Sequence, residues 1–319
     1  MALNLTEQSL QSLQTTRNSP QIVKHESSHA EIPNDFLQGP SALPVTLTPV
    51  PFASSPVPEY DGCFALVLDN VISRDECQEL IKLAEQSATP ANSDAEGFCP
   101  WRSAMVSLGP GVEASAKGYR ESDRIVWDEQ EITDRIWARC CQAEGLQDQL
   151  ARVEEGGDSR VGRPSRKWEF RRINARMRFL RYSVGNFFKA HTDGPFWYED
   201  GEREFQTHYT VHLYLNDSVE ASPDSELVGG ATAFLSRDRQ RRVDVNPKAG
   251  SALVFQHSKL LHEGSVVQAG QKFTVRMDLL YEWVNKGEKA EVKKKTPVRK
   301  HVVEKDASSD SVAKKEDAK

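Results

Sequence analysis

His191 and Asp193 stand two positions apart, and a second histidine, His262, follows 69 residues after the aspartate. In extended backbone residues i and i+2 project to the same side, so His191 and Asp193 can reach one point in space. His262 can join them only from another strand, which requires a sheet folded back on itself. Two imidazoles and one carboxylate gathered on a single side of a divalent metal leave its other positions open.

The rest of the pattern agrees with a mainly β chain. Phe64–Leu68 reads as an early strand, and from Met177 onward short strands are broken by turns, at 177–183, 208–215, 231–235, 251–256 and 274–283. In 208–215, Tyr209, Val211, Leu213 and Leu215 alternate with His208, Thr210, His212 and Tyr214, a period of two. Two helices precede these strands. Ser73 and Glu76 have capping-box spacing ahead of Cys77, Leu80, Ile81 and Ala84. Ile132, Ile136, Trp137 and Cys140 mark the second helix, expected to end near Gly145. Residues 89–128 are polar and punctuated by Gly and Pro, which reads as a structured loop. Helices first and strands afterwards indicate an α+β, mainly β chain with a jelly-roll core and supporting N-terminal helices.

Composition sets the boundaries. Eight of sixteen prolines fall in the first 58 residues, so 1–59 is expected to be a disordered Pro/Ser-rich segment, with the domain at 60–285. Residues 286–319, with eleven Lys/Arg against seven Asp/Glu, read as a disordered Lys-rich tail of charge +4. The net charge of −6 therefore leaves −6 − 4 = −10 on the remainder, so a nucleic-acid partner is not expected. Five cysteines without a CxxC read as thiols, those at Cys77 and Cys140 buried. With no apolar membrane span or signal core, the cytoplasm or nucleus is the expected location.

Several ordered blocks carry a family resemblance. They are Arg181-Tyr182-Ser183-Val184-Gly185-Asn186-Phe187-Phe188-Lys189-Ala190-His191-Thr192-Asp193, then Thr210-Val211-His212-Leu213-Tyr214-Leu215-Asn216, then Gly229-Gly230-Ala231-Thr232-Ala233-Phe234. Pro247–Phe255, His262, Gly270 and Lys272 complete the series. Over this stretch the chain resembles Fe(II)- and 2-oxoglutarate-dependent dioxygenases, in particular the prolyl 4-hydroxylase catalytic-domain type. The resemblance implies a double-stranded β-helix with Fe(II) on His191, Asp193 and His262. It also implies 2-oxoglutarate anchored by Lys272, ten residues after the distal histidine, with Tyr182 contacting the cosubstrate and Thr210 and Tyr214 on the facing strand. Arg276 shares the parity of Lys272 and is the competing anchor, since a guanidinium grips carboxylates bidentately. O2, with ascorbate as reductant, completes the implied cofactors, and the substrate is a peptide or a small molecule.

Other readings compete with these. His257 lies five residues before His262 and could replace it as ligand, but it follows an apolar run and reads as a strand end. His208 and His212 are expected to make structural hydrogen bonds, although one could enter the pocket. Trp197 and Tyr198 could wall a substrate or simply pack. Arg172, Arg178 and Arg181 more often cover a sheet face than bind a substrate, while Arg120 and Arg124 are ambiguous. Gly229 and Gly230 read as a tight turn. A catalytically silent metal module and a zinc hydrolase are the rival functions; the hydrolase needs a general base beside the metal.

Overall fold

The computed structural model describes residues 20–89, 98–109, 111–157 and 165–285. Two antiparallel sheets face one another. The larger runs in the order Thr46–Pro49, Ala65–Asp69, Ala252–Gln256, Arg203–Tyr214, Lys272–Trp283, Arg176–Tyr182, Asp123–Asp128, Arg102–Ser103. The smaller runs Arg242–Val245, Thr232–Leu235, His262–Gly264, Phe187–His191, Arg120–Glu121. Strands adjacent in space come from distant parts of the chain, which is the jelly-roll arrangement expected.

Both expected helices form on the outer face of the larger sheet. Arg74–Ser87 begins with a complete capping box: the Ser73 Oγ accepts from the Glu76 amide at 3.2 Å, and the Glu76 carboxylate accepts from the Ser73 amide at 2.7 Å. Its apolar face buries Cys77, Leu80, Ile81, Leu83 and Ala84. Each large aliphatic side chain buried there contributes roughly 1.5–3 kcal/mol. Gln130–Cys140 buries Ile132, Ile136 and Cys140, and Arg139 donates to Glu76 at 2.8 Å, tying the two helices together. This helix stops at Cys140. Gly145, with φ 77°, caps the start of a further short helix, Leu146–Leu150, rather than closing the second one.

Two expectations are corrected, and one further strand appears that the sequence reading did not place. The stretch before Tyr60 is not wholly disordered: Thr46–Pro49 pairs with Ala65–Asp69, and Val45, Val50, Phe52 and Val57 are buried. Its prolines sit at turns and at a sheet edge, where a missing N–H costs little. Residues 1–19 and the tail from 286 lie outside the described residues. Within 89–128, Asp123–Asp128 is an interior strand, burying Ile125 and Trp127, with Arg124 neutralised by Glu113 at 2.6 Å. The polar Arg166–Ile173 segment is also a strand, paired with the outer half of Lys272–Trp283. The five cysteines are free, with Cys77 and Cys140 buried. Among the described residues, no helix is long and apolar enough to cross a membrane.

Candidate active site

A cleft lies between the two sheets, lined from both. On the smaller sheet, His191 pairs directly with His262 across the ladder, so their side chains share the inward face. Their rings lie 4.3 Å apart. Asp193 follows as the chain leaves the strand, with Oδ1 3.8 Å from the Nε2 of His191 and 3.9 Å from that of His262. The donor atoms of all three lie within 4.8 Å of one another.

Each imidazole is oriented by backbone. The Nδ1 of His191 lies 2.8 Å from the Lys189 carbonyl, and that of His262 lies 3.1 Å from the Leu260 carbonyl. A carbonyl only accepts, so in each ring Nδ1 carries the proton and Nε2 keeps its lone pair for the shared point. Burial, reinforced by His262, lowers the His191 pKa to about 3, and burial with Arg276 and His257 moves His262 in the same direction. Both rings are therefore neutral at pH 7, as metal ligands must be. Burial opposes ionisation of Asp193, but Arg276 and the neighbouring imidazoles outweigh it and hold the carboxyl well below its ordinary range. Thr210 Oγ1 donates to its Oδ2 at 2.6 Å and Arg276 approaches Oδ1 at 3.1 Å.

Along the larger sheet, Lys272, Thr274, Arg276 and Asp278 occupy alternate positions of one strand. Ladder partners are Tyr182 for Lys272, Arg178 for Arg276, and His212 for Arg276 on the other side. Lys272 is 2% exposed. Its Nζ sits 5.4 Å from the Tyr182 ring and 5.6 Å from the Tyr214 ring. Tyr214 donates to Thr232 at 2.8 Å, which fixes that wall. No ion pair of Lys272 occurs among the described residues, and burial alone pushes its pKa down to about 7. Gly230, at φ 73°, is required here, because a Cβ would stand 3.2 Å from the lysine Cδ.

Not every candidate enters the cleft. His257 is buried against Asp278 at 3.5 Å and does not join the triad. His208 packs on Trp168, whereas His212 lines the cleft. The Nε2 atoms of both are buried without a partner among the described residues, and the Nδ1 of His208 lies 4.0 Å from Glu155. Trp197 is half exposed, and Tyr198 stacks on Phe205. Arg172 turns to Gln130 and Arg181 to Asp123, but Arg178 and Arg120 line the cleft, contrary to the sheet-cover reading for Arg178. Neither could be placed from sequence, because register across two sheets decides which arginines face inward.

Residues 177–277 match the model of the 2OG-Fe(II) oxygenase superfamily. This part of the chain is a 2OG-Fe(II) oxygenase domain. Solved structures similar to the chain include three prolyl hydroxylases. The viral collagen prolyl hydroxylase of Paramecium bursaria Chlorella virus-1 is 20% identical, with 69% of this chain and 97% of that one covered and a TM-score of 0.40. A Pseudomonas putida prolyl-4-hydroxylase is 16% identical, at 72% and 99% coverage, with a TM-score of 0.41. A Trichoplax adhaerens prolyl hydroxylase, solved with a hypoxia-inducible-factor peptide fragment, is 15% identical, at 71% and 88%, also with a TM-score of 0.41. Comparison with curated proteins finds no match.

The oxygenase domain has residues that fit both groups its family uses. Two neutral imidazoles with free Nε2 atoms and one ionised carboxylate form a donor set suited to iron(II). The buried, acid-free ammonium of Lys272 fits a carboxylate that arrives from outside. These are the residues that a 2OG-Fe(II) oxygenase would use, and all lie within the matched stretch 177–277. A hydrolase would need a base beside the metal. The other carboxylate lining the cleft, Glu263, is held by Arg242 at 3.2 Å.

Proposed function

We propose that this dioxygenase hydroxylates an unactivated C–H bond, with His191, Asp193 and His262 holding iron and Lys272 taking the far carboxylate of 2-oxoglutarate. The observation that carries this reading is Lys272: a cation walled by Tyr182 and Tyr214, in the same cleft as the triad, without an acid of its own. When bound, iron and 2-oxoglutarate supply dioxygen activation with release of succinate and CO2; the protein's share is placement. Lys272 sets the orientation of the keto acid. Arg276 engages both Asp193 and Asp278, at 3.1 and 3.0 Å, so it serves as the brace of the metal carboxylate rather than the anchor. Thr210 holds the other oxygen of Asp193, and Tyr182 and Tyr214 exclude water around the ammonium.

The motif resemblance makes a peptidyl proline the first substrate to assay and a small molecule the second, with ascorbate added as reductant. Titration of the full chain with Fe(II) and 2-oxoglutarate without oxygen should develop the weak visible charge-transfer band of the chelate. Admission of oxygen should then yield succinate, and Asp193→Ala should remove both signals. A chain that binds iron and 2-oxoglutarate but forms no succinate with any substrate would be a silent sensor; one that shows no band refutes the reading.

A further inference from the structure

We propose that the substrate carries a carboxylate, which docks on Arg120 with Arg178 facing it from the opposite sheet. The inference rests on the iron and 2-oxoglutarate reading above. Arg120 pairs with Phe188 across the smaller sheet, and its guanidinium lies 4.7 Å from that ring. Phe188 in turn stacks on His191 at 3.7 Å. One aromatic ring therefore connects this cation to a metal ligand.

Its polar contacts are neutral and long: Ser122 Oγ at 3.4 Å and the Met105 carbonyl at 3.3 Å. No carboxylate pairs with Arg120 among the described residues, whereas each neighbouring arginine has one. Arg124 grips Glu113 with both terminal nitrogens, at 2.6 and 3.2 Å, and Arg178 donates to Asp278 at 2.9 Å. Burial lowers the Arg120 pKa only to about 10, so the group stays charged at neutral pH. Arg120 is partly withdrawn from water; a charge so placed without a counter-ion is costly, and a bound anion offsets that cost.

Charge counting in the cleft gives the same answer. Arg120, Arg178, Lys272 and Arg276 supply +4; Asp193 and Asp278 supply −2; Glu263 is taken by Arg242. Iron(II) and the 2-oxoglutarate dianion cancel, and two positive charges remain. A planar guanidinium fork matches a carboxylate in two parallel hydrogen bonds, so an acid next to the reacting carbon would also be fixed in orientation. The carboxylate could belong to a free acid or to an acidic residue of a peptide.

The test uses the full chain loaded with Mn(II) and 2-oxoglutarate, which does not turn over, and reads paramagnetic relaxation of probe protons. Two probe pairs separate the sources: N-acetyl-L-alanine against its amide, and Ac-Ala-Glu-Ala-NH2 against its Gln twin. The acidic member of one pair should bind about tenfold more tightly than its neutral twin. Arg120→Gln should erase that preference and Arg120→Lys keep part of it. Equal binding of acid and neutral twins, or a preference that survives Arg120→Gln, overturns the assignment. So does a loss of 2-oxoglutarate affinity in Arg120→Gln as large as the loss of the probe, since the anion would then be the cosubstrate's. If instead Lys272→Ala leaves 2-oxoglutarate affinity unchanged, the cosubstrate reading is at fault, and the probe preference judges Arg120 by itself.

Discussion

Lys272 and Arg276 lie four residues apart on the same face of one strand, Lys272 buried and Arg276 partly buried, both cationic, yet their surroundings are opposite. Arg276 has two carboxylates of the protein within 3.1 Å. Lys272 has two aromatic rings and, among the described residues, no acid. One charge is neutralised as the chain folds; the other is left without a counter-charge among the described residues. On the reading proposed above, such a strand would separate the brace of a metal site from the anchor of a ligand within two periods of side-chain alternation.

The largest effect that could break this contrast is expected at the carboxylate the two cations share unequally. Asp193→Ala should reduce iron binding and iron-dependent succinate to background, measured by metal titration and product assay. Retained turnover would show that Arg276 braces nothing of importance. Arg276→Gln should follow, because Asp193 and Asp278 would lose their common cation inside the protein. Removal of one partner from a buried pair costs about 3–5 kcal/mol, readable as a lower urea midpoint at unchanged slope. A loss below about 1 kcal/mol would place the pair with ordinary surface contacts.

Lys272→Met sharpens the comparison because its stability effect has the opposite sign. The metal-free protein should become more stable, since an uncompensated ammonium is replaced by an apolar chain of similar length. Affinity for 2-oxoglutarate should fall by about 10- to 100-fold, the worth of one charge-assisted hydrogen bond. The lowered pKa of Lys272 also fixes a pH dependence. Between about 7 and its ordinary 10.5 the unfolded chain binds the proton and the folded protein does not. Stability of the ligand-free protein should therefore rise with pH across that window, and the slope should flatten in Lys272→Met. Because 2-oxoglutarate needs the charged form, its affinity should fall over the same range. Asp278 gives a slope of the same sign in a lower window: its carboxyl is held low mainly by Arg276 against the effect of burial, so that contribution is lost on acidification below the usual carboxylate range.

How much of this was legible in the sequence follows from the range of each interaction. His191 and Asp193 could be read together because i, i+2 parity is local, and Ser73 with Glu76 because a capping box spans four residues. Lys272 was legible by spacing from His262. Arg120, Arg178 and His212 were not, since their inward orientation depends on register between strands whose paired residues lie up to 276 − 178 = 98 positions apart along the chain. Thr210 was expected at the cosubstrate, and its hydroxyl is spent on Asp193 instead. Asp123–Asp128 escaped notice because buried Arg124 breaks the apolar alternation, and only the distant Glu113 makes that burial tolerable.

The smallest expected effect tests where the contrast ends. His208, Thr210, His212 and Tyr214 share strand parity, so all four should face the cleft. A register shift between Thr207 and Tyr209 in the pairing with the Lys272 strand interrupts that row. His208 consequently packs 5.1 Å from Trp168 and 5.3 Å from Tyr281, while Thr210 and His212 still face the site. His208→Phe conserves ring shape and removes a buried nitrogen without a partner, so stability should move by less than about 1.5 kcal/mol. Succinate formation and 2-oxoglutarate affinity should stay within about threefold of the parent, under 1 kcal/mol. A tenfold loss would mean that the irregularity does not isolate His208, and that the cleft extends past it toward Trp168.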